Sequence, residues 1–377
     1  MRIGITCHPT AGGSGVLATE LGIAMAERGH EVHFVTEDIP FRLTGYHPNI
    51  FTHCVDSVSY PLFRTAPSSL ALSAKICEVA EERLFDVWHA HYAIPHAAAA
   101  LFARTMLPKE RQFSLVTTLH GTDITLIGSD PSFFRVTKYA MEESCAVTAV
   151  SQWLAQETQN AFSLTKDVRV IHNFFDERRF SGEHQGPCSL TNTGEKIVMH
   201  ISNFRPVKRV TDVVRVFKKI LEVVNARLIM VGEGPERMAA VGVARQLGIA
   251  DRIQYLGVYG QIEALIPCAD LVIHPSEHES FGLVPLEAMA CSVPVIGTAS
   301  GGITEVVEDG VSGYLCEVGN IDHMATHAID LLTHPEKAKE MGRKGRERAY
   351  AHFGRDAIID QYEALYEEVR AKHWKDA

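Results

Sequence analysis

Residues 271–290 read Leu271-Val272-Ile273-His274-Pro275-Ser276-Glu277-His278-Glu279-Ser280-Phe281-Gly282-Leu283-Val284-Pro285-Leu286-Glu287-Ala288-Met289-Ala290. The apolar run 271–275 has the length of a buried strand, and the apolar segment after Gly282 is helical. Pro285 is tolerated there only near the first helical turn. Strand, short polar loop and helix in immediate succession are the repeating unit of a parallel α/β fold. That reading puts Glu279 in the loop at the carboxyl end of the strand and Glu287 about a turn or more inside the helix. Between them the N–H groups of Phe281, Gly282 and Leu283 form the positive helix end, a natural anion site. Two carboxylates flanking an anion site suit a ligand with hydroxyls at both ends and phosphates in the middle. The plainer reading is a helix cap plus one surface glutamate. The Glu-x7-Glu spacing in this strand–loop–helix setting weighs toward ligand binding.

The same grammar runs through the chain on both sides of this segment. Strand-like runs fall at 2–8, 31–36, 87–91, 115–120, 147–151 and 168–172, then at 196–202, 227–232, 253–256, 271–275 and 293–297. Candidate helices lie between them, at 15–28, 70–83, 95–104 and 137–144, and at 211–224, 235–247, 261–268 and 282–290. Three further helices, 321–332, 335–352 and 355–372, follow the last strand. The stretch 173–195 carries Gly182, Gly186, Pro187, Asn192 and Gly194 with few periodic apolar residues, as a linker does. The fold class is therefore α/β, with two Rossmann-like, doubly wound domains, 1–172 and 173–354, facing across a cleft. Two domains also suit a chain of 377 residues.

Composition narrows the function. Lys plus Arg number 36 and Asp plus Glu 46, a net charge of −10, which opposes binding to nucleic acid or an anionic membrane. The longest small-apolar stretch, 97–103, is too short to span a bilayer, and residues 1–5 run into a strand without a signal-peptide layout. None of the eight cysteines lies within four residues of another, so no local CxxC pair or zinc ribbon exists. Reduced thiols and a cytoplasmic address follow as expectations.

Four other segments carry polar groups at strand ends. The loop His8-Pro9-Thr10-Ala11-Gly12-Gly13-Ser14-Gly15 lets a ligand approach the backbone at a helix start, though it lacks both GxGxxG and GxxxxGK[ST] spacing. Ser202-Asn203-Phe204-Arg205-Pro206-Val207-Lys208-Arg209 places three cations in five residues after a strand, enough to neutralise a diphosphate. Val231-Gly232-Glu233-Gly234-Pro235 reads as a structural turn. His120-Gly121-Thr122-Asp123 ends a strand, and His89-Ala90-His91 aligns two imidazoles on one strand face. No carboxylate or cysteine accompanies those histidines at ligand spacing and no DxD occurs, so no metal is expected.

Over essentially the full chain these features resemble the GT-B glycosyltransferases of family 4. Further strings, at 4–9, 39–43, 46–50, 89–93, 117–125 and 202–205, resemble the branch that joins GlcNAc from UDP-GlcNAc to L-malate, the first step of bacillithiol synthesis. The resemblance implies retention at the anomeric carbon and metal-independent transfer with no cofactor. It also hints at a homodimer. It assigns the ribose hydroxyls to Glu287 and the sugar hydroxyls to Glu279. Lys208, the N–H groups of Phe281, Gly282 and Leu283, and Gly13 would stabilise the departing diphosphate, and His120 would lie near the transferred sugar. Many members carry arginine where Asn203 stands; Arg205 or Arg209 would supply that charge here. Lys208, Glu279 and His120 are thus the catalytic candidates. L-Malate would sit on the first domain against Ser14, Tyr92, Thr118 and Lys138, with Arg42 as a further candidate. The second domain would hold the nucleotide sugar, and the helix from 355 would pack back on the first, its segment running to 377. Inositol phosphate as acceptor, or epimerisation of UDP-GlcNAc, are the alternatives.

Overall fold

The computed structural model describes residues 1–10, 12–56, 66–181, 190 and 194–376. The chain divides into two compact units, one of Met1–Asn173 with Asp356–Ala377 and the other of Phe174–Arg355.

Unit 1 is built on a seven-stranded sheet of Arg2–Thr6 (β1), Glu31–Thr36 (β2), Ile50–Cys54 (β3), Val87–His91 (β4), Ser114–Leu119 (β5), Ala146–Ala149 (β6) and Val168–Val170 (β7). All neighbours are parallel, in the order β3-β2-β1-β4-β5-β6-β7. Parallel strands are covered on both faces, which is why β4 and β5 are buried at every residue. The Gly13–Glu27 helix is buried nearly all round, from Leu17 through Ala26. The Arg355–Asp376 helix follows unit 2 in sequence, yet nearly all of it belongs to unit 1. Arg28 bonds its Asp360 and Glu363 at 2.6 and 2.7 Å, and the Tyr366 hydroxyl lies 2.6 Å from His89 Nδ1.

Unit 2 carries a six-stranded parallel sheet of Lys196–Ile201 (β8), Ala226–Val231 (β9), Ile253–Gly257 (β10), Leu271–His274 (β11), Val295–Thr298 (β12) and Tyr314–Cys316 (β13), in the order β10-β9-β8-β11-β12-β13. Val198, Phe204, Phe217, Leu228, Ile273 and Met324 share one core cluster, to which the strands contribute alternate residues such as Leu228 and Met230.

In each sheet the strand order reverses direction once, between β1 and β4 in unit 1 and between β8 and β11 in unit 2. Ligands of doubly wound sheets bind outside the strand carboxyl ends at such points.

Several elements differ from the sequence reading. β3 was not anticipated: Ile50–Cys54 is a largely solvated edge strand without an apolar face pattern. β13 is an edge strand of three residues, too short to announce itself. The Gln152–Phe162 helix is rich in Gln, Thr and Asn but starts on a clear cap, with Ser151 Oγ accepting from Leu154 N. The helix expected from 95 begins at Ala98, because residues 93–97 form a wider turn around Pro95. No disulfide joins the described cysteines, and none of the described helices is long and apolar enough to cross a membrane.

Candidate active site

In unit 2 the loops after β8 and β11 meet at the switch point. The segment after β8 is shaped by Phe204, fully buried with φ +39°, and by a 3-10 turn over Pro206–Lys208 that starts on the proline. Glu277 N donates to Val207 O at 2.8 Å, tying the two loops together. The turn delivers Lys208 Nζ to 2.5 Å from Glu279 Oε2, and His274 Nε2 lies 2.8 Å from the same oxygen. Ser276 Oγ is 3.0 Å from His274 Nε2. Burial alone would push the Glu279 carboxyl up, but Lys208 and His274 outweigh it and hold the group well below the usual carboxylate range. Burial, opposed by Glu279, lowers His274. Glu279 is therefore a carboxylate, only 14% exposed, facing a cation that is 18% exposed.

The Glu279 backbone is fixed from the other side. Gly302 N donates to Glu279 O at 2.7 Å, and Gly301 sits at φ +84° with the place of a Cβ only 2.2 Å from that oxygen. The following Leu283–Ala290 helix begins on Gly282 at φ +102°, with Phe281 anchored in the core. Glu287 is buried on this helix. Gly232, at φ +119°, lies so close to Ser202 O (1.8 Å from a Cβ position) that no side chain fits, which lets the β9 loop support the β8 loop. Asn203 and Arg205 are exposed, whereas the Arg209 guanidinium is bound by Asp212 at 2.6 Å. Lys208, Glu279, Phe281, Gly282, Leu283 and Glu287 are thus brought onto adjoining elements at one switch point.

In unit 1 the loops after β1, β4 and β5 carry a group of rings. Gly12 precedes the Gly13–Glu27 helix, and a Cβ on Gly15 would stand 2.3 Å from His8 O, so the loop folds tightly onto the helix start. Gly13 is exposed and Ser14 half-buried beside it. Tyr92 takes φ +93° and donates its N–H to Thr118 O at 2.9 Å. Its ring is 5.1 Å from that of His8 and 5.3 Å from that of His120. His120 Nε2 lies 3.0 Å from His91 Nδ1, and burial, with His8 beside it, pushes His120 down to about 3. Asp123 anchors the corner by accepting from Ala93, His120 and Gly121 N–H groups. Burial raises its carboxyl to about 6 against those donors.

Two acceptor candidates have their side-chain polar groups engaged by other partners. Thr118 is buried, with Oγ1 2.6 Å from both His89 Nε2 and Thr148 Oγ1, so its hydroxyl serves the interior. Lys138 Nζ donates to Ser163 O at 3.1 Å, at the carboxyl end of the Gln152–Phe162 helix. Arg42 is buried. Conversely, sequence reasoning passed over His274, Ser276 and Gly301 in unit 2 and His8 and His96 in unit 1. His96 is buried, 4.5 Å ring to ring from His8, and neither ring nitrogen has a partner among the described residues. The run of imidazoles at 89, 91, 96 and 120 was the available signal, but nineteen histidines made any one ambiguous.

Such a pair of doubly wound units, with a lysine–glutamate pair and a helix start at the second switch point, defines a glycosyltransferase of the GT-B class. Residues 11–179 match the Glycosyltransferase Family 4 family and residues 187–348 the Glycosyl transferases group 1 family, and the chain belongs to these glycosyltransferases. It is 46% identical over 372 residues to N-acetyl-alpha-D-glucosaminyl L-malate synthase of Bacillus anthracis, covering 98% of this chain and 97% of that one. It is 34% identical over 411 residues to D-inositol 3-phosphate glycosyltransferase of Mycolicibacterium smegmatis, covering 97% and 89%. Sucrose-phosphate synthase from Thermosynechococcus elongatus shares the fold at TM-score 0.80 and 21% identity, over 99% of this chain and 100% of the other.

Proposed function

We propose that this glycosyltransferase moves GlcNAc from UDP-GlcNAc to the hydroxyl of L-malate, with retention at the anomeric carbon and without a divalent metal. The observation that carries the reading is the Lys208–Glu279 pair, 2.5 Å apart at the β8/β11 switch point. The identity of 46% to the Bacillus anthracis synthase points to the substrates. In this reading Lys208 leaves the carboxylate for the diphosphate when the donor binds, and Glu279 turns its oxygens to the sugar hydroxyls. Arg205, exposed where Arg209 is bound by Asp212, is the cation that joins Lys208. The N–H groups at Phe281–Leu283 complete a fixed field within unit 2 for the charge that grows on the departing UDP, and Gly13 is the group of unit 1 assigned to the same charge. Glu287 takes the ribose, and His120 the transferred sugar. Asn203 flanks the diphosphate.

The acceptor needs donors for two carboxylates. Ser14 and Tyr92 supply hydroxyls, and Thr118 holds Tyr92 through its carbonyl. His96, buried and unpartnered among the described residues, adds a ring N–H. Lys138 remains in this set only if its ammonium leaves Ser163.

The purified chain should release UDP from UDP-GlcNAc only when L-malate is added, at the same rate in EDTA. No malate-dependent release, or faster turnover with inositol phosphate than with malate, overturns the acceptor assignment. Loss of turnover in EDTA overturns the metal-independent mechanism.

A further inference from the structure

Cys316 closes the edge strand β13, and the Ile321–Thr333 helix follows it directly. His323 and His327 are one turn apart on that helix and so share a face. Their Nε2 atoms are 2.8 Å apart, and the Cys316 sulfur and one nitrogen of each histidine all lie within 4.8 Å of one another. The Tyr314 ring stacks on His327 at 3.8 Å between centroids and restricts its swing. Cys316 is buried, His327 half-buried and His323 exposed, so the group opens to solvent on one side.

We propose that Cys316, His323 and His327 bind a zinc-like divalent cation that clips β13 to the helix behind it. One thiolate and two imidazoles are a borderline-soft donor set, which suits zinc and cobalt and disfavours magnesium and calcium. Ligand atoms around tetrahedral zinc stand about 3.5 Å apart, given bond lengths near 2.0–2.3 Å. The two imidazoles therefore part slightly and the sulfur moves in, which side-chain rotation supplies. The thiol proton leaves to solvent as the metal–sulfur bond forms, and water fills the fourth position. The site lies two strands from β11, in the order β11-β12-β13, so the cation touches none of the groups proposed to hold the donor. It does reach the donor loop indirectly: Ala299 N donates to Cys316 O at 2.8 Å, just ahead of the Gly301–Gly302 turn that holds Glu279.

The test uses the full chain without a histidine tag, stripped of metal and titrated with Co2+ and then Zn2+. The expected result is one Co2+ per chain, tetrahedral absorption bands, and a thiolate-to-cobalt charge-transfer band in the near ultraviolet. Zn2+ should displace the Co2+ and raise the melting temperature. His323→Ala, at an exposed position, should weaken Co2+ binding roughly a hundredfold, and Cys316→Ala should remove the charge-transfer band. Absence of stoichiometric binding overturns the proposal, as does binding that both variants leave unchanged. In that event Cys316 is a small core side chain and the histidines are simply hydrogen-bonded to each other.

Discussion

Lys208 and Glu279 share one short contact, and the two lesions should differ in kind. Lys208→Ala removes the cation proposed to face the leaving diphosphate, and turnover should fall roughly 10²–10³-fold, the usual cost of losing a fixed transition-state donor. Glu279→Gln keeps the shape but removes the carboxylate proposed to accept from the sugar hydroxyls, so KM for UDP-GlcNAc should rise along with the loss in kcat. Steady-state kinetics on both variants, with circular dichroism to show intact folds, separates the two. His96→Ala should raise KM for malate while leaving KM for UDP-GlcNAc within about twofold; an unchanged malate KM would remove His96 from the acceptor set. Glu279 was legible in the sequence because glutamate spacing, loop and helix start coincide in one contiguous segment. His274 was not, since a histidine inside an apolar strand run looks like a core residue until the fold brings its Nε2 to Glu279. Lys138 was named from the resemblance, and its present partner, the Ser163 carbonyl at a helix end, could not be read from its place in the sequence.

At the level of elements, the parallel sheets were readable because their strands are continuous β-rich runs buried on both faces. Of the four edge strands, β7 and β10 were read, but β3 and β13 were not: β3 is largely solvated with no apolar face pattern and β13 has only three residues. The donor loop depends on such non-local support. Gly301 is the clearest point of leverage, since any Cβ would collide with the Glu279 carbonyl and φ +84° strains other residues. Gly301→Ala should cost about 1–3 kcal/mol of unit 2 stability and should lower kcat, although this residue is placed against no substrate. Thermal denaturation paired with single-turnover UDP release provides the check; normal turnover in a destabilised variant would show that the loop does not need this turn.

Unit 1 and unit 2 should respond differently to acid. Burial pushes His89 to about 3 and His33 to about 4 in unit 1, where His53, His91 and His96 move the same way; in unit 2 His200 goes to about 3 and His274 and His327 are also lowered, so unit 1 holds the larger share of such histidines among the described residues. A histidine lowered on folding stays neutral in the folded chain while the unfolded chain protonates it below its ordinary value of 6.5, so stability falls as pH drops from 6.5 toward those values. At pH 5 each opposes folding by about 2 kcal/mol. His120, with the same direction, adds to the effect. Hydrogen exchange at pH 7 and pH 5 should show protection falling first in unit 1. Equal loss in both units would contradict this. The net charge of −10 gave no hint of that asymmetry, which comes from which histidines are enclosed.

The placement of the Arg355–Asp376 helix sets an order of assembly. Tyr366 completes the hydrogen bonding of His89, and Ser114 Oγ donates to Val369 O at 3.2 Å, so the sheet of unit 1 is finished by residues synthesised after all of unit 2. Phe174–Arg355 is one uninterrupted segment and can fold as soon as it leaves the ribosome. Residues 1–173 emerge earlier and can build the core of Trp88, Leu115, Ile76 and Ala103 by themselves, but lack the cover that Tyr366 and Val369 give around His89 and Ser114 until the helix arrives. A chain arrested at 355 should accordingly yield a protease-resistant fragment from unit 2 and faster digestion of everything before it. During translation, the half made first is the one most in need of a chaperone.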